Sequence, residues 1–438
     1  MNPTNLQLVG TILFAIAVLH TFMVSKIQHL AHKYPEGSMM ENLLHFLGEV
    51  EAVFGMWAAI FIGYYAATEG LAVYNADHTK VLGGALKYLE QDLNFTEPAF
   101  VFVIMCMAGT RPVIVFAEKL ITLTSKIVPL PGKMAFYVTT LVVGPILGSF
   151  ITEPAAMTVT ALILLDYFFS DDLSQKFKYA TIGLLFVNVS IGGTLSHFAA
   201  PPVLMVATTW KWGFMHMLTN FGYKAVISII IGTLTVAFMF KGELQGKLEM
   251  KSKHEAWMAP TWWMTMIHLV FMGLVVYTAH HMVFFLGLFL FFLGFTTVTQ
   301  EYQDKIKLKE SLLVGFFLAG LVVLGKQQGW WLQPLISGLN DFVLFAGATG
   351  LTAITDNAAL TYLGTLVDLS DSAKYSLVAG AVAGGGLTVI ANAPNPAGFG
   401  ILKDSFGEEG ISPLGLLAGA IGPTILAMIC FWVLPSLG

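Results

Sequence analysis

Bilayer-length apolar runs follow one another through this chain, and twice they carry the same acid-bearing phrase. Ile151-Thr152-Glu153-Pro154-Ala155-Ala156-Met157-Thr158 returns as Ile354-Thr355-Asp356-Asn357-Ala358-Ala359-Leu360-Thr361, an offset of 203 positions. Hydrocarbon offers the backbone no hydrogen-bond partners, so such runs cross it only as helices or closed barrels. These runs are continuous rather than alternating, which argues against the barrel. Irregular chain at that depth is tolerated only around a protein-enclosed cavity, and a carboxylate there is costly and rarely idle.

Composition agrees. The 438 residues are 56% hydrophobic and 11% charged, with mean hydropathy +0.74, whereas soluble domains carry about a quarter charged residues. The reading is an all-α polytopic membrane protein with ten to twelve full crossings. Among its spans are 7–25, 47–66, 99–122, 335–350 and 357–369, and some runs are short enough to be half-helices or re-entrant arms. The N-terminus lacks a basic region before its first apolar run, so no cleavable signal is expected. Cys106 and Cys430 lie inside apolar runs, against a disulfide framework or thiolate metal site. A net charge of −5 gives no reason to expect a nucleic-acid partner.

The polar stretch 241–260 divides the chain into halves of about 1–240 and 261–438. Lys241, Lys247, Lys251 and Lys253 lie within it, and Lys305, Lys307 and Lys309 in the 300–310 loop. Runs 262–279 and 282–299 meet at His280-His281 as a tight antiparallel pair, which puts both Lys-rich loops on one side. The positive-inside tendency makes that side cytoplasmic. A second match supports a repeat: Gly193-Thr194-Leu195-Ser196-His197-Phe198-Ala199-Ala200-Pro201-Pro202 resembles Gly385-Gly386-Leu387-Thr388-Val389-Ile390-Ala391-Asn392-Ala393-Pro394. The connector Ser170–Gln175 absorbs the unequal spacing, and Gly144 and Gly347 keep the offset of 203. Each half then holds two broken-helix elements, as paired interrupted segments of a carrier do.

These breaks are chemically suited to a small cation. Pro154 fits the first turn of a helix with a polar cap before it, and Asp356-Asn357 is a cap signal of the same kind. Unwound backbone offers carbonyls. Thr152, Ser196, Thr355, Asn357, Thr388, Asn392 and Asn395 add neutral oxygens, and Glu153 and Asp356 add charge; hard cations such as Na⁺ take oxygen ligands of this type. A buried carboxylate accepts a proton as readily, because burial penalises its charged form. Plainer readings stand beside each residue. Glu153 and Asp356 fit capping carboxylates, Asn392 and Asn395 fit turn residues, and Ser196 and Thr388 fit back-bonding to a preceding carbonyl.

Other residues stay open. His197 fits a polar niche better than a proton relay. Arg111, the only arginine, precedes Pro112 in an apolar run and fits a structural ion pair, a buried acid or anion, or a headgroup. Glu49 and Glu51 fit a proton path or an interface, with His45 on the face of Glu49. Thr96-Glu97-Pro98-Ala99 echoes 152–155 but reads as a helix start. No cofactor and no resident metal are expected.

At Ser149–Leu165, Ser190–Val206, Ala353–Leu366 and Gly384–Leu402 the chain resembles the ion transporter superfamily, and most of all a bacterial family of sodium/proton antiporters. The resemblance implies two inverted-topology repeats, each with a re-entrant helical hairpin (near 135–169 and 335–369) and a discontinuous transmembrane helix (near 178–210 and 375–402). Thr152-Glu153-Pro154 and Thr355-Asp356-Asn357 would form the hairpin tips and Gly193 would line the first break. The protein would be a homodimer in a bacterial cytoplasmic membrane whose transport domain slides on a scaffold. Sodium-coupled carboxylate carriers of the superfamily read Ser-Asn-Thr at the tips. Acids at this position favour Na⁺ (or Li⁺) exchange for H⁺ over the alternative, sodium-coupled symport of a small organic anion. An intramembrane hydrolase is disfavoured: the duplicated breaks have no role in one.

Overall fold

The computed structural model describes residues 3–74, 80–81, 83–169, 173–246, 259–407 and 410–437. They fold almost wholly as helices, interrupted by a two-residue antiparallel ladder of β1 (Val73–Tyr74) on β2 (Lys80–Val81). Helix α1 (Asn5–Ala31) is started by Thr4, whose hydroxyl accepts from Gln7 N while the Gln7 side chain accepts from Thr4 N. This reciprocal cap satisfies donors that a helix start leaves open. Then come α2 (Met39–Leu47), α3 (Val50–Glu69), the short α4 (Gly84–Lys87), α5 (Thr96–Ala108) and α6 (Arg111–Ser125). The first half continues through α7 (Gly132–Ile151), α8 (Glu153–Phe168), α9 (Gln175–Gly192), α10 (Pro201–Trp210), α11 (Phe214–Met217) and α12 (Tyr223–Met239).

After the divider, α13 (Trp262–Tyr277) and α14 (Met282–Val298) form the expected antiparallel pair around the His280-His281 turn. They are followed by α15 (Leu308–Gly325), α16 (Gly329–Ile336), α17 (Asp341–Thr352), α18 (Asn357–Gly364), α19 (Asp371–Gly384), α20 (Asn395–Leu402) and α21 (Pro413–Val433). Among the described residues, six helical spans are long and apolar enough to cross a membrane, or seven if one bent pair is counted as a span. That is fewer than the ten to twelve expected from apolar runs. Length explains the difference: several runs fold as helices of only 8 to 17 residues.

Three expected spans are also redrawn. The run 99–122 is two helices, bent by 68° between α5 and α6. Gly109-Thr110 ends the first, and Pro112, with no N–H to give, suits only the first turn of the second. The run 335–350 divides at Gly338, with α17 starting anew on an Asn340 cap. The run 357–369 is α-helical only to Gly364. Thr96 begins α5, as read. Cys106 and Cys430 are buried free thiols.

The helices sort into two packed groups. In one, α1, α3 and α5 pack on α15, and α14 packs on α5; in the other, α7 to α10, α12 and α17 to α21 pack together. Within the second group α8 lies against α20 and α10 against α18, so each break-bearing region meets a segment from the other half. The beginning of the divider is held down where α7 and α9 start: Lys133 Nζ donates to Glu243 O (2.9 Å), and Ser174 N and Oγ donate to the Glu243 carboxylate. Lys247, Lys251 and Lys253 of the divider, and the connector residues Ser170–Asp172, lie outside the described residues.

Glycine sets the closest approach in the first group. A Cβ on Gly320 of α15 would stand 2.3 Å from the Phe54 carbonyl carbon of α3, which only backbone movement relieves. Close backbone contact is what small residues supply between helices in lipid, where apolar burial gives no net drive to associate. Gly294 of α14 has nothing within 4 Å of the same position. Gly320→Ala is therefore expected to cost about 1–3 kcal/mol through overpacking, and Gly294→Ala far less. Thermal unfolding of both variants in detergent checks the contrast.

Candidate functional site

Two helix-to-helix tips and two helix breaks converge here. At the first tip α7 ends at Ile151, Thr152 turns the chain, and α8 starts at Glu153 with Pro154 in its first turn. Thr152 takes φ +74°, ψ 150°, a conformation unfavourable for a β-branched residue and of the kind that local strain sustains at functional sites. The expected Thr152 cap is not made: its hydroxyl is buried and unpartnered. The left-handed turn carries it away from the open N–H groups of α8.

Glu153 is fully buried. Its Oε2 accepts from Asn392 Nδ2 at 3.0 Å, and its Oε1 has no partner. The carboxyl lies against the first break, where α9 stops at Gly192, Gly193–Leu195 make one tight turn, and Ser196 is extended before α10 begins at Pro201. A Cβ on Gly193 would come within 2.4 Å of Glu153 Oε1 and 2.7 Å of its Cγ, so only glycine leaves room for this acid. Ser149 fastens the same break to α7. Its hydroxyl donates to Gly192 O (2.7 Å) and accepts from Leu195 N (2.9 Å).

The second break is built the same way from different residues. α19 stops at Gly384, Thr388 is extended, and α20 begins at Asn395. Thr388 Oγ1 donates to Ala353 O of the second tip (2.9 Å), while Asn395 Nδ2 donates to Gly385 O and Thr388 O. Asn395 thus serves the turn, as its plainer reading had it. Ser196 and Thr388 do not back-bond within a helix: the Ser196 hydroxyl is unpartnered and Thr388 reaches across to the tip.

At that tip Asp356 caps α18, its Oδ1 accepting from Ala358 N (2.8 Å) and Ala359 N (3.1 Å). A carboxylate at a helix N-terminus is also favoured by the helix dipole. Thr355 spends its hydroxyl on Leu351 O. The residue that lies against the second break is the next one along. Asn357 is fully buried with both amide atoms unpartnered, and its Nδ2 would stand 2.8 Å from a Cβ on Gly385. Ser190 of α9 meets the same glycine and donates to Val382 O (2.8 Å). By sequence Glu153 aligns with Asp356; by position against a break it pairs with Asn357.

Asp356 instead faces a cavity of about 90 Å³ between the two helix groups, shared with Glu51, Thr355 and Asn392. Asn392 therefore connects the acids, its amide on Glu153 and its side chain in the wall that Asp356 lines. Glu49 only precedes α3 and caps nothing with its side chain. His45 does not share its face: α2 ends at Leu47, so His45 pairs with Glu41 at 3.5 Å. His197 lines a different cavity with Glu97 and His280, its Nδ1 unpartnered. Arg111 begins α6 and lies 3.9 Å from Asp304. Gly144 packs against Thr160 within the first tip's helix pair, whereas its offset partner Gly347 has open space. Ser149 and Ser190 were not singled out as site residues; in sequence each is one of several polar side chains along α7 and α9.

A family model described as "Putative Na+/H+ antiporter" matches residues 5–434. The chain belongs to this family. It is accordingly a multi-pass membrane protein of a transporter family whose exchanged ions are Na⁺ and H⁺. No curated protein matches it.

The Asn392–Glu153 bond makes a measurable coupling. Asn392→Ala strips a fully buried carboxyl of its donor and is expected to destabilise by about 1–3 kcal/mol. In the Glu153→Gln background the same change is expected to cost less, leaving an interaction energy of about 0.5–3 kcal/mol. A double-mutant cycle of thermal or denaturant unfolding in detergent measures it; additive losses contradict the assignment.

Proposed function

We propose that the protein exchanges Na⁺ (or Li⁺) for H⁺ by alternating access, with Glu153 as the group for which cation and proton compete and Asp356 as a second carboxylate at the access cavity. One observation carries this: Glu153 is fully buried with one oxygen unpartnered, and the oxygens of Thr152, Ser196, Asn357, Asn392 and Asn395 at the same tips and breaks are buried and unpartnered as well. An ionised carboxylate with a single donor is very costly away from water. A bound cation or a proton removes the cost, and the two cannot occupy the same oxygens together. That exclusion is what couples uptake of one to release of the other.

The wider frame rests on the same reading. Segments 132–168 and 341–364 act as hairpins of two inverted repeats, and α9–α10 and α19–α20 as discontinuous helices, with 241–260 as a cytoplasmic linker. The crossed packing of α8 on α20 and α10 on α18 supports this. Irregular backbone at both breaks is acceptable in a bilayer because it borders an enclosed site. The group around α15 serves as scaffold for a homodimer in a bacterial cytoplasmic membrane, and no cofactor takes part. Arg111 lies beside Asp304 and does not line the cavity of Glu51 and Asp356, which favours exchange over symport of an organic anion.

The test is an acid-interior proteoliposome given external Na⁺, Li⁺ or K⁺ while a pH dye reports the lumen. Wild-type protein is expected to restore the dye with Na⁺ or Li⁺. Glu153→Gln and Gly193→Ala are expected to lower the initial rate by about 100-fold or more, in the range for losing a positioned proton-transfer group. Asp356→Asn, which keeps the cap, is expected to slow it as well. Full recovery with Glu153→Gln contradicts the assignment.

A further inference from the structure

The cavity between the two helix groups has walls unlike those of a bare ion path. Three phenyl rings border it, with Phe14–Phe54 and Phe54–Phe317 centroids 5.5 and 5.3 Å apart, and the remaining wall is mostly aliphatic. Two carboxylates face this apolar space from opposite groups, Glu51 from α3 and Asp356 from the α18 tip, and among the described residues no basic side chain lines it. Asn392, 1% exposed, lines the same cavity with its Oδ1 unpartnered.

We infer that this cavity is a binding site for a small organic ammonium ion carrying an apolar group. An ammonium head has the charge that Glu51 and Asp356 lack in their surroundings and the N–H donors that Asn392 Oδ1 and the carboxylates can accept. Electrostatic attraction is strengthened where apolar walls keep water away. A short alkyl tail, the size a cavity of about 90 Å³ admits, buries against the phenyl wall, whose ring faces also attract cations. Na⁺ uses none of that apolar surface, so the walls select for the organic cation. Because the site spans both helix groups, its occupant bridges them and opposes relative movement.

The inference goes beyond ion exchange, and its test reads binding without transport, so either reading can fail alone. The probe is propylammonium chloride, small enough for a cavity of about 90 Å³, titrated calorimetrically into the full-length protein in detergent, with 1-propanol as the uncharged control. Saturable binding of propylammonium and none of the alcohol is expected. Glu51→Gln and Asp356→Asn should each weaken it by about tenfold or more, as loss of a partner to a desolvated charge does. Phe54→Leu should weaken it by about threefold, the scale of a modest cation–π contribution. Asn still caps a helix and Gln matches Glu in shape, so the variants are expected to fold, with gel filtration as the check. Absence of propylammonium binding, equal binding of the alcohol, or undiminished binding by both carboxylate variants overturns the inference.

Discussion

Burying the Glu153 carboxyl is the constraint on which the rest of the site depends. Removed from water, it has one hydrogen bond, from Asn392, and one oxygen with nothing to accept from. Such an arrangement is hard to sustain in a protein selected for stability alone, because an unpaired buried polar group costs about 1–3 kcal/mol and a charge more. The surrounding structure tolerates it and is shaped around it.

That shaping is done largely by what is missing. Gly193 has no Cβ where the Glu153 carboxyl lies, and Gly385 none where Asn357 and Ser190 approach. Hydroxyls then hold the broken helices in place: Ser149 binds both sides of the first break, and Thr388 ties the second to the tip beside it. The backbone groups released where α9 and α19 stop are therefore partly satisfied from neighbouring elements, as nonaqueous surroundings require. Strain at Thr152 belongs to the same economy. Its positive φ lets α8 begin at the acid itself, so Glu153 starts the helix beside Gly193.

The two halves are related without being interchangeable. The first tip buries its acid against its break; the second uses its acid as a helix cap and buries the following amide instead. Asp356 is thereby left facing the cavity beside Glu51, with Asn392 between it and Glu153. A single positional shift within a repeated phrase separates the roles of two carboxylates that look equivalent in sequence.

The sequence by itself determined the helical membrane class and where the helices turn and break near Thr152, Gly193, Asp356 and Gly385. These follow from local physics: apolar runs must be helical in lipid, and Gly, Pro, Asp and Asn end or start helices where they stand. It could not separate Glu153 from Asp356, since both are acids in the same phrase, nor foresee that Thr152 turns left-handed instead of capping. It did not give helix lengths, because apolarity records burial in lipid or protein alike, and it placed His45 on the face of Glu49 without the break between α2 and α3. Tertiary structure decided which side chains meet. Asn392 lies 239 residues from Glu153, and no local rule reaches so far: only packing α20 on α8 brings the amide to the acid, and only packing α3 and α15 near the second tip encloses Glu51 with Asp356.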